Sequence, residues 1–226
     1  MTESDGPRTP AACRGRARKG HSDVEHHPLY CEENIWRLCR QPAFATPSCR
    51  VLLITNPRRT VPMLHQRAAP VGQPTLWDYH VVHLDLGPPA RILDLDTALA
   101  EVGTALPALE WLQRSFPWET LPADLEPRFR VVDAAEFARR LGSDRSHMKG
   151  ADGHWLAPPP PWAPPTPGTA VEPIPLHRYL DVEDPQTGVW LDRTGLVVVI
   201  RPSRGTPARP RRTSPWRLGG SHRQGE

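Results

Sequence analysis

Residues 76–96 read LWDYHVVHLD, then LGPPA, then RILDLD: two alternating apolar–polar runs around a Gly-Pro-Pro turn. Alternation with period two predicts β-strands over 76–85 and 91–96, with Leu86-Gly87-Pro88-Pro89 as the reversal. Centring the reversal on Gly87 sets His80 opposite Asp94 and Asp78 opposite Asp96, at Cβ separations of about 4.5–5.5 Å. His80, Asp78, Asp94 and Asp96 then share one face of the hairpin, and Trp77, Tyr79, Val81, Leu93 and Leu95 share the other. The second set suits a core. The first set suits a solvated face, yet solvation alone does not call for a cross-strand His–Asp pair. Three carboxylates beside a histidine are costly to bury unless paired or functional.

Upstream, RVLLIT (50–55) predicts a strand closed by Asn56-Pro57. EENIWRLCR (32–40) predicts a helix with Ile35, Trp36 and Cys39 on one face and Glu32 and Glu33 in its first turn, where the dipole favours acids. Cys31 then lies at a helix N-terminus. Downstream, 104–116 carries a helical face of Leu106, Leu109, Leu112 and Phe116, with Trp111 alongside. RFRVV (128–132) predicts a strand, Asp133 a cap for the helix AAEFARRL, and Gly142 its end. Residues 157–168 are proline-rich and read as extended polyproline II, and GLVVVI (195–200) as a last, central strand. The sum is an α+β domain with a mostly antiparallel sheet and flanking helices.

A chain of 226 residues fits one domain, and 8 Trp with several Val/Leu/Ile runs argue against global disorder despite 29 Pro and 16 Gly. No apolar run approaches the roughly 18 residues of a membrane span, and no secretory pattern opens the chain. A membrane protein and a disulfide-stapled miniprotein are thereby excluded. The formal net charge of +3 is unevenly placed: residues 1–20 carry +3 and 201–226 carry +6, which leaves −6 for 21–200. The basic, Pro/Gly/Ser/Arg-rich ends, 1–22 and 203–226, are expected to be disordered tails around a catalytic domain at 23–202. A nucleic-acid role would have to reside in those ends, and none is expected. Cysteines stand at 13, 31, 39 and 49 without a CxxC pair, so a zinc ribbon fails on spacing. His26, His27 and Cys31 lack a second ligand cluster, and no metal is expected. With nothing arguing for export, free thiols in a reducing, cytoplasmic setting are expected.

Cys31 completes a chemical set with the hairpin. A thiol at a helix N-terminus, beside a histidinium, has its pKa lowered from about 8.5 to between about 3.5 and 7.5. A thiolate nucleophile, a proton-shuttling histidine and an orienting carboxylate make a triad: Cys31, His80, Asp94. Asp96 is a rival for the orienting role. The competing reading of Cys31 is a small buried hydrophobe.

The strings YCEENIW (30–36), WDYHVV (77–82), DLDT (94–97), FRV (129–131), SDRSHM (143–148) and the PPPP run at 158–161 occur in this order. Together they resemble the protein N-terminal glutamine amidohydrolase family, over about 30–161. The resemblance implies a monomeric α-β-α sandwich related to papain-like and transglutaminase-like folds. It implies deamidation of an N-terminal Gln of proteins and peptides to Glu, with ammonia released through a thioester and no cofactor. The family's triad falls on Cys31, His80 and Asp94. In eukaryotic members, which work in the cytoplasm or nucleus, the product feeds arginylation and the N-degron pathway.

Reading a free α-ammonium calls for an acidic pocket, and Asp78, Glu33 and Asp144 are the candidates. SDRSHM is expected to help wall that pocket, with Asp144 and Arg145 as an ion pair, His147 structural, and Trp77 and Tyr79 in the core. The proline run is expected to pack across the domain. Other readings are a thiol protease or transglutaminase-like acyl transferase on the same scaffold, a non-catalytic module that binds N-termini or proline-rich partners, and a nucleic-acid binder acting through its basic tail.

Overall fold

The computed structural model describes residues 24–168, 170–184 and 187–201. The expected tails, with Cys13, lie outside the described residues. The centre is a six-stranded sheet in the order β10-β7-β1-β4-β5-β6, every neighbouring pair antiparallel. Its strands are β1 (Cys49–Thr55), β4 (His80–Asp85), β5 (Arg91–Leu93), β6 (Leu106–Pro107), β7 (Arg128–Asp133) and β10 (Trp190–Leu191). Two small sheets flank it: β2 (Val61–Met63) with β3 (Thr75–Trp77), and a parallel pair, β8 (Leu141–Gly142) with β9 (Ile174–Pro175), the latter followed by the short helix α4 (Leu176–Tyr179).

The sheet is covered on both faces, so the expected solvated face does not exist. Val51 and Leu53 of β1 and Val81 of β4 pack against α1 (Cys31–Cys39) and α3 (Ala134–Arg140). The alternate residues Leu52, Ile54, Val82 and Leu84 pack with α2 (Ala108–Ser115) and α5 (Arg193–Ile200). Burying each such side chain is worth about 1.5–3 kcal/mol, which outweighs a polar, wet alternative for the apolar run of β1. His80 is fully buried as a result, and Asp94 is 2 % exposed. Trp77 and Tyr79 lie in cores on opposite faces of the sheet.

Several expected elements are altered, each by a local bond. The strand over 76–85 is two strands in two sheets. It breaks at Asp78, whose Oδ1 accepts from the Tyr79 N–H at 3.0 Å, while its carbonyl accepts from Thr55 Oγ1 at 2.8 Å. Such side-chain bonds compete with a ladder. The β4–β5 register pairs His83 with Leu93 and Asp85 with Arg91, two residues away from a turn centred on Gly87. The strand over 91–96 stops at Leu93 because Asp94 Oδ1 takes the Asp96 N–H at 3.0 Å.

Helix α2 starts at Ala108, and its buried face is Ala108, Trp111, Leu112 and Ser115, while Leu109 is 36 % exposed. Asp133 caps α3 through the Glu136 N–H, as expected, but Gly142 continues into β8 instead of closing the helix. GLVVVI is not a strand. Asp192 accepts from the Gly195 N–H at 2.7 Å and starts α5, which sets Leu196 and Ile200, four apart, on the core. The cap and that face override β-branched propensity.

Candidate active site

Cys31 is the first residue of α1 and is buried. The approach to it is fixed by Asn34, whose amide donates to the His27 carbonyl at 2.8 Å and accepts from the His27 N–H at 2.9 Å. Cys31 Sγ lies 3.8 Å from Glu32 Oε2 and receives the Val81 N–H. Burial pushes the thiol well above its ordinary range, and the carboxylates of Glu32, Asp96 and Asp78 add to this. The thiol pKa is therefore raised where the helix start alone predicts a lowered one, because burial outweighs the helix dipole.

His80, the first residue of β4, places Nε2 2.9 Å from Asp94 Oδ1, both side chains fully buried. Its Nδ1 is buried with no hydrogen-bond partner among the described residues. Asp94 Oδ2 accepts from Trp111 Nε1 at 3.0 Å and from Gln66 Nε2 at 3.3 Å. Gln66 Oε1 in turn accepts from Trp77 Nε1 at 3.3 Å, and the Trp77 ring stacks on His80 at 5.3 Å between centroids. Burial works against charge on both members of the pair, but each stabilises the other. The imidazole is raised above its ordinary value, and the carboxyl, helped by Trp111 and Gln66, is lowered. Asp96 is bonded elsewhere, its Oδ1 2.8 Å from His26 Nε2.

His80, Asp94 and Asp96 bring ligand-type atoms within 4.8 Å of one another. The bonds they make identify a His–carboxylate pair rather than a cation site. Asp94 already has four neutral or cationic partners on its two oxygens: His80 and the Asp96 N–H on Oδ1, Trp111 and Gln66 on Oδ2. Fixed donors of this kind satisfy the lone pairs of a buried carboxylate.

A cleft of about 540 Å³ lies next to this group; Asp78, Tyr79, Asp144, Ser146 and His147 line it, whereas Cys31, His80 and Asp94 do not. The Tyr79 hydroxyl donates to Glu32 Oε2 at 2.9 Å and lies 3.1 Å from His147 Nε2. His147 Nε2 is also 3.3 Å from Glu32 Oε1, and this carboxylate holds the imidazole pKa up against burial. Cys31 thus lies behind Tyr79 and Glu32. Of the three acids considered for the α-ammonium, Asp78 and Asp144 line the cleft and Glu33 does not. Glu33 is fully buried, its two oxygens bonded by Arg145 Nε at 2.7 Å and Nη2 at 2.8 Å, and by Trp162 Nε1 at 2.8 Å. The expected Asp144–Arg145 pair is absent: Arg145 turns inward to Glu33, and Asp144 caps the Ser146 N–H at 2.9 Å.

The proline run crosses α1 as expected. Ala157 O accepts from Tyr30 Oη at 3.1 Å and Trp162 O from Arg145 at 2.8 Å. Sequence reading missed Gln66, Trp111 and Glu32 as neighbours of Cys31, His80 and Asp94, and assigned Trp77 and Tyr79 to the core alone. The one signal available was composition: Trp and Gln near a buried carboxylate can donate without adding charge.

Residues 26–200 match the model of a family described as N-terminal glutamine amidase. The chain belongs to this family. Among its relatives is the protein N-terminal glutamine amidohydrolase of Bos taurus, 33% identical over 193 residues, which are 82% of this chain and 90% of that one. The protein of the same name from Homo sapiens is 35% identical over 171 residues, 70% of this chain and 78% of that one. That of Drosophila melanogaster is 35% identical over 156 residues, 63% and 72% respectively. The amidase-family match spans every element of the sheet and both sides of the cleft. No helix among the described residues is long and apolar enough to cross a membrane.

Proposed function

We propose that this chain hydrolyses the side-chain amide of an N-terminal glutamine to glutamate. The observation that carries the chemistry is His80: its Nε2 is held by Asp94, and its Nδ1 is buried and free of any bond among the described residues. The neighbouring residue, Val81, gives its N–H to Cys31. Family membership supports the substrate.

In this reading Cys31 is the nucleophile. His80 Nδ1 takes the thiol proton as the amide binds, and the thiolate attacks the side-chain carbonyl carbon of the glutamine. The Cys31 backbone N–H, at a helix start where no intrahelical acceptor exists, stabilises the oxyanion. The imidazolium returns the proton to the departing nitrogen, ammonia leaves, and a thioester remains. His80 then deprotonates a water that attacks the thioester, and glutamate and the Cys31 thiol are released. Asp94 orients His80 and stabilises its charged form. The raised thiol pKa fits a site that forms its thiolate only within the complex. Asp78 and Asp144, both on the cleft, are the groups proposed to face the free α-ammonium. Glu33, third among the acids considered, is committed to Arg145.

The proposal extends to a papain-like or transglutaminase-like fold and to one catalytic domain at 23–202 between tails 1–22 and 203–226. It also takes the chain to be a cytoplasmic monomer that acts on proteins and peptides without nucleic acid. Three free, buried cysteines, Cys31, Cys39 and Cys49, fit a reducing compartment. The test is ammonia release from a Gln-initiated peptide, compared with its N-acetylated form, a peptide with internal Gln only, and the Cys31→Ala enzyme. Release confined to the free N-terminal Gln and lost in Cys31→Ala is expected. No release from folded, reduced protein overturns the reading, and cleavage of the peptide bond instead would establish a thiol protease.

A further inference from the structure

Behind the cleft, on the outer side of α1, lies a second groove of about 550 Å³. Three arginines, Arg37, Arg40 and Arg139, and two tryptophans, Trp36 and Trp162, line it, and no acidic residue does. The cations are set flat on the rings: Arg37 Cζ is 4.0 Å from the Trp162 centroid and Arg40 Cζ 4.8 Å from that of Trp36. Both indole N–H groups point inward, Trp36 to the Ala138 carbonyl and Trp162 to Glu33, so the rings hold the guanidinium groups and add no donor to the groove. Arg37 is ion-paired with Glu25, whereas Arg40 and Arg139 have no carboxylate partner among the described residues. This is a basic, aromatic surface on a body whose residues 21–200 sum to −6.

The groove adjoins the cleft. Thr166 and Pro167 line both, so a single ridge of the proline segment separates them. A polypeptide whose first residue lies against Tyr79 has to leave the cleft over one of its walls. An extended chain advances about 3.3–3.6 Å per residue, so a ten-residue peptide is long enough to enter both cavities.

We infer that the Arg37–Arg40–Arg139 groove receives the substrate chain downstream of its N-terminal glutamine and selects for aspartate and glutamate there. The inference rests on the deamidation reading of the cleft. Its physical content is charge complementarity, with Arg forks, two of them held over tryptophan rings, bonding carboxylates. Exposed pairs of this kind are individually weak and screened by salt, so together they change KM by about three- to tenfold at low ionic strength and little at high. They leave kcat unchanged, because they act before and after the chemical step alike.

The experiment compares Gln-initiated decapeptides that differ only beyond the second residue, one rich in Asp and Glu and one in Lys, at low and high salt. The full chain is assayed beside Arg40→Glu/Arg139→Glu, with Arg40→Lys/Arg139→Lys as the conservative pair and a Gln-Gly dipeptide as the control. Binding of the same peptides, fluorescein-labelled at the C-terminus, to the Cys31→Ala chain is read by anisotropy. The wild type is expected to favour the acidic peptide in KM and in binding, the Glu variant to lose or invert that preference, and the Lys variant to keep most of it. All three should turn over the dipeptide alike. Equal KM and equal binding for the two decapeptides overturn the inference, as does a preference that survives Arg40→Glu/Arg139→Glu. Absence of ammonia from the dipeptide as well as the decapeptides overturns the deamidation reading, and with it the groove's role in substrate selection.

Discussion

Trp111 donates its indole N–H to Asp94 Oδ2 at 3.0 Å, the oxygen that His80 leaves unused. The bond crosses from α2 to the end of β5 and fixes the plane of the carboxylate that faces His80. Trp111→Phe keeps the ring and removes the donor. Leaving a buried carboxylate oxygen one bond short costs about 1–3 kcal/mol of stability. The Asp94 pKa should rise and kcat fall, with KM unchanged because Trp111 does not line the cleft. Urea unfolding and steady-state kinetics check this, and a change in KM alone would contradict it.

The His80–Asp94 pair sets a pH window. The His80 pKa is raised above 6.5, so its stabilisation is complete below that value and is lost as pH rises through the folded pKa. That of Asp94 is lowered below 3.8, so its stabilisation is present above that value and is lost as pH falls through the folded pKa. Both operate fully between these limits. Asp94→Asn should therefore destabilise most in that window, with the gap to the wild type narrowing as pH rises further. Activity should fall by about 10²–10⁴-fold. Urea midpoints from pH 4 to 9 test the first point, and a gap constant across the range would show that the pair is not coupled.

Arg145, 8 % exposed, shares a bidentate pair with the fully buried Glu33. Removing one partner strands the other charge, so Arg145→Ala should cost about 3–5 kcal/mol. Glu33→Gln together with Arg145→Met should recover a large part of it. Chemical denaturation of the three variants checks the order, and a loss below about 1 kcal/mol in Arg145→Ala would place the pair at a wet surface instead.

Asp192 starts α5 by accepting the Gly195 N–H. Asp192→Ala should cost about 1 kcal/mol, with Asp192→Asn close to the wild type. Thermal unfolding of both separates a helix from a strand at 193–200, because a strand has no use for the cap.

Much of the site was legible because strand chemistry has period two. The expected hairpin was wrong by two residues, yet an even shift returns the side chains within β4 and β5 to the same face; Trp77, beyond the break at Asp78, lies on the face opposite the one expected. His80 and Asp94 therefore stayed neighbours, with Asp94 one residue past the end of β5. Cys31 was legible from the acids and apolar spacing that follow it. What local reading could not supply was the other face. The alternation of 76–85 resembles a half-solvated strand, and only α2 and α5, arriving from distant sequence, bury it. Gln66, Trp77 and Trp111 come from three separate segments and meet only at Asp94. The run GLVVVI misled because its residues favour strands, while the signal that decides, a capping Asp192, lies outside it.

The proline segment that walls the cleft has a consequence for the order in which the enzyme is made. Cys31, His80 and Asp94 are all synthesised before residue 95, whereas Ser143–His147 and Pro165–Pro167 emerge later. A ribosome-bound chain thus carries Cys31, His80 and Asp94 ahead of the segments that wall the cleft. The strand order limits that interval. The central β1 lacks its neighbour β7 until residue 133, and α3, whose Phe137 shares one core with Cys39, follows at once. The central strand and the wall of the cleft are therefore completed within a few dozen residues of each other, and Cys31, His80 and Asp94 gain their final surroundings only late in synthesis.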